Sequence, residues 1–555
     1  KYMQQKHSIK ENIIKYDRST LDKSIDEIIN ARFENWEFQI ESSIDDLHDP
    51  YLLKDMDKAV ERIKKAKEND ERVFIFGDYD VDGVTSTSIL MHFFKTIWLE
   101  ISYRLPHRVK DGYWLKKYFV DEAKELWVAL IITVDCGTRD IDVIKHAKSV
   151  WVDIIVTDHH AVPEIIPEEA IAIINPKRPD CDYYYKNLAW AWVAFKLMSA
   201  LAYEYFSDKE AEKYITESID IAAIWTVADC MRLTWENRII VQEGLKQIKK
   251  SRSKWIKKLI EDKMNEDLDA DLFGFTIWPR LNAAGRMDSP YKAVNLILNN
   301  WDTLNKTIAE IEQLNEQRKY LTKEFVNDAM NKINKDDNLI FYISPAIEHG
   351  IIWIVAWRIT EQFYKPCICM KDEWDKLVAS CRSPAFYSII KLLDKFKDYF
   401  IWYWWHKQAA GFSISKEKFS EFRSKIVAEI NKEDFSKYKK EIVVDKLIKL
   451  EELWFSFLSH VNKYKPFWIG NTKPVFMVEN LDYEKLEFLW KGRDHLRFTT
   501  KHWFKIFAFY MWDFYEKIKI WVRNWKRISL IFDVSEDSWM WKKNLMLKVV
   551  DLILE

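Results

Sequence analysis

Between residues 73 and 175 the chain breaks repeatedly into short, unbroken apolar runs separated by helix-patterned stretches. The runs are Val73-Phe74-Ile75-Phe76, Leu130-Ile131-Ile132-Thr133-Val134, Ile154-Ile155-Val156 and Ala172-Ile173-Ile174. Strands that are apolar on both faces belong to a parallel sheet covered by helices on each side, so the predicted class is α/β. Residues 1–48 read as a polar, mostly helical segment, and residues 180–300 as mainly helical. Residues 301–335 contain neither Gly nor Pro, and Leu304, Ile308, Ile311, Leu314, Leu321 and Phe325 recur at helical spacing, which predicts one long connecting helix. Strand patterning resumes near residues 339–343, and a charged stretch at 432–440 marks a second boundary. The last segment alternates in strand fashion at 504–509, 528–532 and 545–550, as a small β domain does.

Composition changes this picture in two places. The net charge of the 555 residues is −2, so any basic surface must be local. Residues 461–555 carry such a bias, with 17 Lys and Arg against 12 Asp and Glu. Six cysteines without a Cys-x-x-Cys pair read as reduced thiols rather than a disulfide frame or zinc ribbon. No secretory leader is visible, and no apolar run is long enough to span a bilayer, so the expectation is a cytoplasmic protein with no membrane partner. The second oddity is 11 glycines beside 27 tryptophans, where ordinary usage predicts roughly 39 glycines.

The chemistry-bearing residues sit where the predicted strands end. The first strand runs into Gly77-Asp78-Tyr79-Asp80-Val81-Asp82-Gly83, the second into Asp135-Cys136-Gly137, the third into Thr157-Asp158-His159-His160. Ligands of an open parallel sheet bind beyond the carboxyl ends of its strands, so the three loops should converge. Carboxylates and imidazoles gathered there would repel one another unless divalent cations sat between them. The Asp-x-Asp-x-Asp-Gly run opens like a calcium loop, but Ile89 stands where that loop needs a bidentate glutamate. No Gly-Lys-Ser/Thr follows any strand, which excludes a phosphate-binding P-loop.

These loops carry a family resemblance. With Asp49-Pro50-Tyr51-Leu52-Leu53-Lys54-Asp55-Met56, Val227-Ala228-Asp229, Pro279-Arg280-Leu281-Asn282-Ala283-Ala284-Gly285-Arg286 and His406 before Ala409-Ala410-Gly411, the chain resembles the DHH phosphoesterase superfamily. Within it the likeness is to the bacterial single-strand-specific exonucleases, and it covers nearly the whole length. It implies an N-terminal segment at 1–48, a DHH catalytic domain at 49–300, a connecting helix at 301–335, a DHH-associated α/β domain at 336–435 and an OB-fold β-barrel at 436–555.

The resemblance further implies that Asp80, Asp82, Asp135, His159 and Asp229 hold two metal ions, manganese or magnesium, with Asp135 bridging. Asp78 is an outer ligand or its support, and His160 faces the scissile phosphate. Arg280, Asn282, Arg286 and His406 are expected along the DNA backbone, and Arg108 with Ser380 and Arg382 at the strand's 5′ phosphate. The implied activity is 5′-to-3′ degradation of single-stranded DNA to mononucleotides in repair and recombination, beside a single-strand-binding protein and a helicase. Two other readings share the fold: a phosphodiesterase for short RNA or cyclic dinucleotides, and a non-catalytic replication factor. The basic C-terminal β domain argues against the first, and the intact acidic set against the second.

Departures from the family are nearly all of one kind. Its Gly-Gly-His stands here as Trp404-Trp405-His406, its Gly-Pro-Arg-Leu-Asn as Trp278-Pro279-Arg280-Leu281-Asn282, and its Ala-Gly-Ala-Gly as Ala189-Trp190-Ala191-Trp192. Trp114, Trp225, Trp235, Trp353, Trp468 and Trp541 also fall where glycine is expected. Tryptophan is the worst replacement wherever glycine serves a positive φ or a close backbone approach. The expectation is a UGA codon that the source reads as glycine and a standard table reads as tryptophan.

Overall fold

The computed structural model describes residues 4–33, 42–107, 111–112, 114–188, 190–298, 301–406, 409–489, 495–501, 505–523, 527–539 and 542–555. They form two compact units: Glu41–Lys432 with Pro466–Asn471, and Lys1–Ile40 with Glu433–Lys465 and Thr472–Glu555. No helix among the described residues is long and apolar enough to cross a membrane.

The larger unit begins with helix α1 (Met56–Glu68) and a five-stranded parallel sheet: β1 (Arg72–Gly77), β2 (Ile101–Arg104), β3 (Val128–Val134), β4 (Asp153–Thr157) and β5 (Ala172–Ile174). Their order is β2-β1-β3-β4-β5, with Ile75 beside Tyr103 on one side and Ile132 on the other. Alternation along the strands divides the core. Val73, Ile75, Leu130 and Ile132 pack on the α1 face with helix α2 (Val81–Thr96), whereas Phe74, Phe76 and Ile131 pack against helices α3 (Lys117–Glu125) and α4 (Ile141–Ser149). A strand buried on both faces has no polar side, which is why the sequence showed unbroken apolar runs. The chain leaves β1 for β2 on one side and reaches β3 on the other. This reversal opens a crevice at the strands' carboxyl ends.

Helices α5 (Trp190–Tyr205), α6 (Asp208–Ala228) and α7 (Trp278–Met287) follow, then α8 (Trp301–Lys332), about 48 Å long at 1.5 Å per residue. A second sheet holds β6 (Ile340–Ser344), β7 (Cys367–Asp372), β8 (Lys376–Arg382), β9 (Phe400–His406) and β10 (Ala409–Ser415), in the order β9-β10-β8-β7-β6. Helix α9 (Ile352–Phe363) packs on it.

The smaller unit corrects the helical reading of residues 1–48. Gln4–His7 and Ile13–Tyr16 are strands, and the second pairs in parallel with Glu441–Val443. Only Ile25–Asn30 is α-helical among the described residues of that segment, with a capping box between Ser24 and Glu27. The remainder is a seven-stranded sheet in which Ile528–Trp539 pairs antiparallel with Lys542–Leu554.

Candidate active site

The loop after β1 turns directly into α2. Asp80 is the residue before that helix, and its Oδ1 accepts the backbone amides of Asp82 at 2.9 Å and Gly83 at 3.3 Å. A Cβ on Gly83 would lie 2.3 Å from the backbone of Asp78, so only glycine lets the loop fold back over that residue. Asp135 follows β3 with φ +69°, a left-handed backbone, and its amide donates to Thr157 O at 3.0 Å. Non-glycine residues in that region are uncommon and collect at functional sites.

Of the expected ligands, Asp78, Asp80 and Asp135 come together, whereas Asp82, His159 and Asp229 fall outside that cluster. One oxygen from each of Asp78, Asp80 and Asp135 lies within 4.8 Å of the others, and Asp135, Asp158 and His160 form a second such group. Asp135 belongs to both groups. Burial pushes the Asp82, Asp135 and Asp229 carboxyls well above their ordinary range, and the charge of Asp80 adds to the shift in each. Both Asp135 oxygens, Oδ1 of Asp82 and Oδ2 of Asp229 are buried with no hydrogen-bond partner. Buried carboxylates are normally paired, hydrogen-bonded or bound to metal. This donor set fits divalent cations.

The adjacent histidines have different tasks. Burial, with Lys177 and His160 nearby, holds His159 well below its ordinary pKa and therefore neutral. Its Nδ1 lies 2.8 Å from Leu188 O, which fixes the proton there and puts the lone pair on Nε2, the tautomer a metal ligand needs. His160 Nδ1 lies 2.8 Å from Asp158 Oδ1. Burial alone would raise the Asp158 carboxyl, but His160 and the amides of Thr138, His159 and His160 hold it far below its ordinary value. Asp158 stays a carboxylate engaged in hydrogen bonds and positions His160.

The expected phosphate-binding residues divide. Arg280 is tied into the fold: its Nε donates to Glu312 on α8 at 2.9 Å and its Nη1 to Thr276 O at 2.6 Å. Arg286 donates to Gly350 O at 3.3 Å and to the side-chain oxygen of Asn282 at 2.8 Å. A Cβ on Gly350 would meet Arg286 O at 2.1 Å, so the start of α9 rests directly on the end of α7. Arg382, on β8 two residues after the buried Ser380, joins this place: its guanidinium lies 5.3 Å from the Trp353 ring and that of Arg286 lies 4.4 Å from it. Arg108 and the side chain of His406 lie outside the described residues.

Sequence reasoning missed Lys177, whose charge acts on Asp229, Asp158 and His159. It follows β5 in Asn175-Pro176-Lys177, so the strand-end rule applied to the fourth run would have found it. A cleft of 260 Å³ beside Arg286, lined by His107, Asp288, Glu348, His349 and Lys371, was equally unannounced.

The model of the DHH family, N-terminal domain, matches residues 72–225, and that of the RecJ OB domain matches residues 444–551. The chain is 30% identical over 520 residues to the single-stranded-DNA-specific exonuclease RecJ of Bacillus subtilis, covering 91% of this chain and 64% of that protein. It is 33% identical over 412 residues to RecJ of Salmonella typhimurium, covering 70% of this chain and 71% of the relative. Among solved structures it is similar to RecJ of Thermus thermophilus in complex with Mn2+, with TM-score 0.76, 25% identity and coverage of 90% of this chain and 72% of that one. A structure of exonuclease RecJ bound to manganese aligns with TM-score 0.60 and 29% identity over 69% of this chain and 96% of that one. The chain belongs to the RecJ family of DHH-domain proteins.

Proposed function

We propose that this chain is a metal-dependent exonuclease that degrades single-stranded DNA from its 5′ end to mononucleotides. The observation that carries the reading is Asp135, a buried carboxylate with neither oxygen hydrogen-bonded, held in left-handed backbone beside the carboxylates of Asp78 and Asp80. Its RecJ relatives are named for single-stranded-DNA-specific exonuclease activity, and two similar RecJ structures hold manganese.

In this reading Asp78, Asp80, Asp82, Asp135, His159 and Asp229 hold two manganese or magnesium ions. Such a pair supplies Lewis-acid stabilisation of phosphate charge and an activated water near neutral pH. The neutral His159 offers a lone pair without first losing a proton. His160, aimed by Asp158, faces the scissile phosphate. Arg286, Arg382, Asn282 and Ser380 hold the strand's phosphates, with Arg108 and His406 assigned by the family pattern. Arg280 acts through the packing of α7 on α8. The role is DNA repair and recombination in the cytoplasm, where a helicase and a single-strand-binding protein would present the substrate.

The test is digestion of a labelled single strand and the matching duplex, with manganese or with chelator, by the chain and by Asp135→Asn. The reading requires the single strand alone to disappear, only with metal and only with Asp135. Undiminished cleavage by Asp135→Asn would refute the assignment.

A further inference from the structure

Three tryptophans occupy equivalent places at the ends of three helices. Ile97, Leu126 and Val150 are the capping residues after α2, α3 and α4, and the next residues are Trp98, Trp127 and Trp151. Their φ angles are 59°, 59° and 66°, and they are 86%, 84% and 90% exposed. After Trp98 and Trp151 the chain closes back on the helix, Leu99 N donating to Phe94 O and Val152 N to Ala147 O at 3.0 Å each. This is the left-handed helix stop that glycine usually occupies, because a Cβ there meets the following carbonyl. Tryptophan gains nothing in return, since these rings lie in solvent. With Trp235 at φ 51°, tryptophan accounts for four of the twelve non-glycine residues at positive φ among those described.

A second group is buried without satisfaction. Among the described residues the indole N–H groups of Trp192, Trp225, Trp255, Trp353 and Trp468 are buried and have no acceptor, whereas buried tryptophans usually find one; of these, Trp353 and Trp468 also crowd a neighbouring group. The ring of Trp468 presses on Gly274, where an added Cβ would meet it at 2.3 Å. Trp353 lies against both Arg286 and Arg382, filling the space their guanidiniums face.

We infer that the working protein carries glycine at Trp98, Trp127, Trp151, Trp353 and Trp468, and that glycine at 353 opens the space between Arg286 and Arg382 to a phosphate-sized anion. The helix-end and buried-indole observations make no use of nuclease chemistry. The anion clause rests on the proposed function. One cause covers all five positions: a UGA codon translated as glycine.

The first experiment is peptide mass spectrometry of the protein isolated from cells of its source. Fragments spanning the five positions are expected to show glycine, and tryptophan in them would overturn the inference. The second compares the recombinant chain as written with the triple variant Trp98→Gly, Trp127→Gly, Trp151→Gly. The variant is expected to melt several degrees higher, and an equal or lower melting temperature would overturn the glycine assignment. Neither readout involves cleavage, so neither can fail merely because the nuclease reading fails. For the anion clause, Trp353→Gly is expected to bind a 5′-phosphorylated oligonucleotide at least about tenfold more tightly than the chain as written. Its affinity for the 5′-hydroxyl strand should change far less. Equal gains on both strands would overturn the opening at 353.

Discussion

His160 Nδ1 lies 2.8 Å from Asp158 Oδ1, and that same oxygen accepts the backbone amides of His159 and His160. One carboxylate therefore fixes both the turn carrying the two histidines and the orientation of the second ring. Replacing it by Asn keeps the shape but offers one acceptor oxygen instead of two. Asp158→Asn should lower the cleavage rate about 10–100-fold, the cost typical of losing such a supporting partner. An unchanged cleavage rate would contradict this role.

Asp135 combines left-handed backbone with a buried carboxyl that has no hydrogen-bond partner, and the second is costly until a cation is present. Asp135→Gly removes both, so the metal-free variant should be more stable than the parent by about 1–3 kcal/mol. It should also lose cleavage, and manganese should no longer raise its melting temperature as it does the parent's. Melting curves with and without manganese check all of this.

The parallel strands were legible because each is buried on both faces and so reads as a continuous apolar run. The loops after them were legible because strand ends are where such a sheet binds. β2 was missed: Ile101–Arg104 is an edge strand, half-buried throughout, and carries no comparable run. Gln4–His7 is polar, and Ile13–Tyr16 finds its partner more than 400 residues away at Glu441–Val443, a pairing no local pattern encodes. The acidic loops were visible as strand-end motifs, but the separate tasks of Asp158 and Arg280 depend on long-range partners such as Thr138 and Glu312. The helix-end tryptophans stood out in composition, while their backbone angles became visible only in three dimensions.

Arg382 and Arg280 should behave differently when truncated. In the Trp353→Gly background, Arg382→Ala should weaken action on 5′-phosphorylated strands about 10- to 100-fold, the worth of a charge-assisted hydrogen bond, and act little on 5′-hydroxyl strands. Arg280→Ala breaks the link to Glu312 and Thr276 and should affect both substrates alike while lowering stability. Kinetics on the two strand ends separate these outcomes.

Asp220 on α6 is buried, and that burial, partly offset by the Ser251 hydroxyl, pushes its carboxyl from 3.8 to about 6. Below about pH 4 the group is protonated in both folded and unfolded chains. Between about pH 4 and 6 only the unfolded chain gives up the proton, so rising pH costs stability, reaching roughly 3 kcal/mol and then levelling. Asp220→Asn lacks this cost. The melting-temperature gap between variant and parent should widen from about pH 4 to about pH 6 and stay constant above it.

In the proposed function a two-metal site removes nucleotides from a 5′ end. This is tested most directly by following one single strand labelled at its 5′ end and the same strand labelled at its 3′ end, in manganese, over the first part of the reaction. The 5′ label should leave at once as mononucleotide while the 3′ label stays in progressively shorter strands, and chelator should stop both. Release of the 3′ label first, or digestion that continues in chelator, would contradict it.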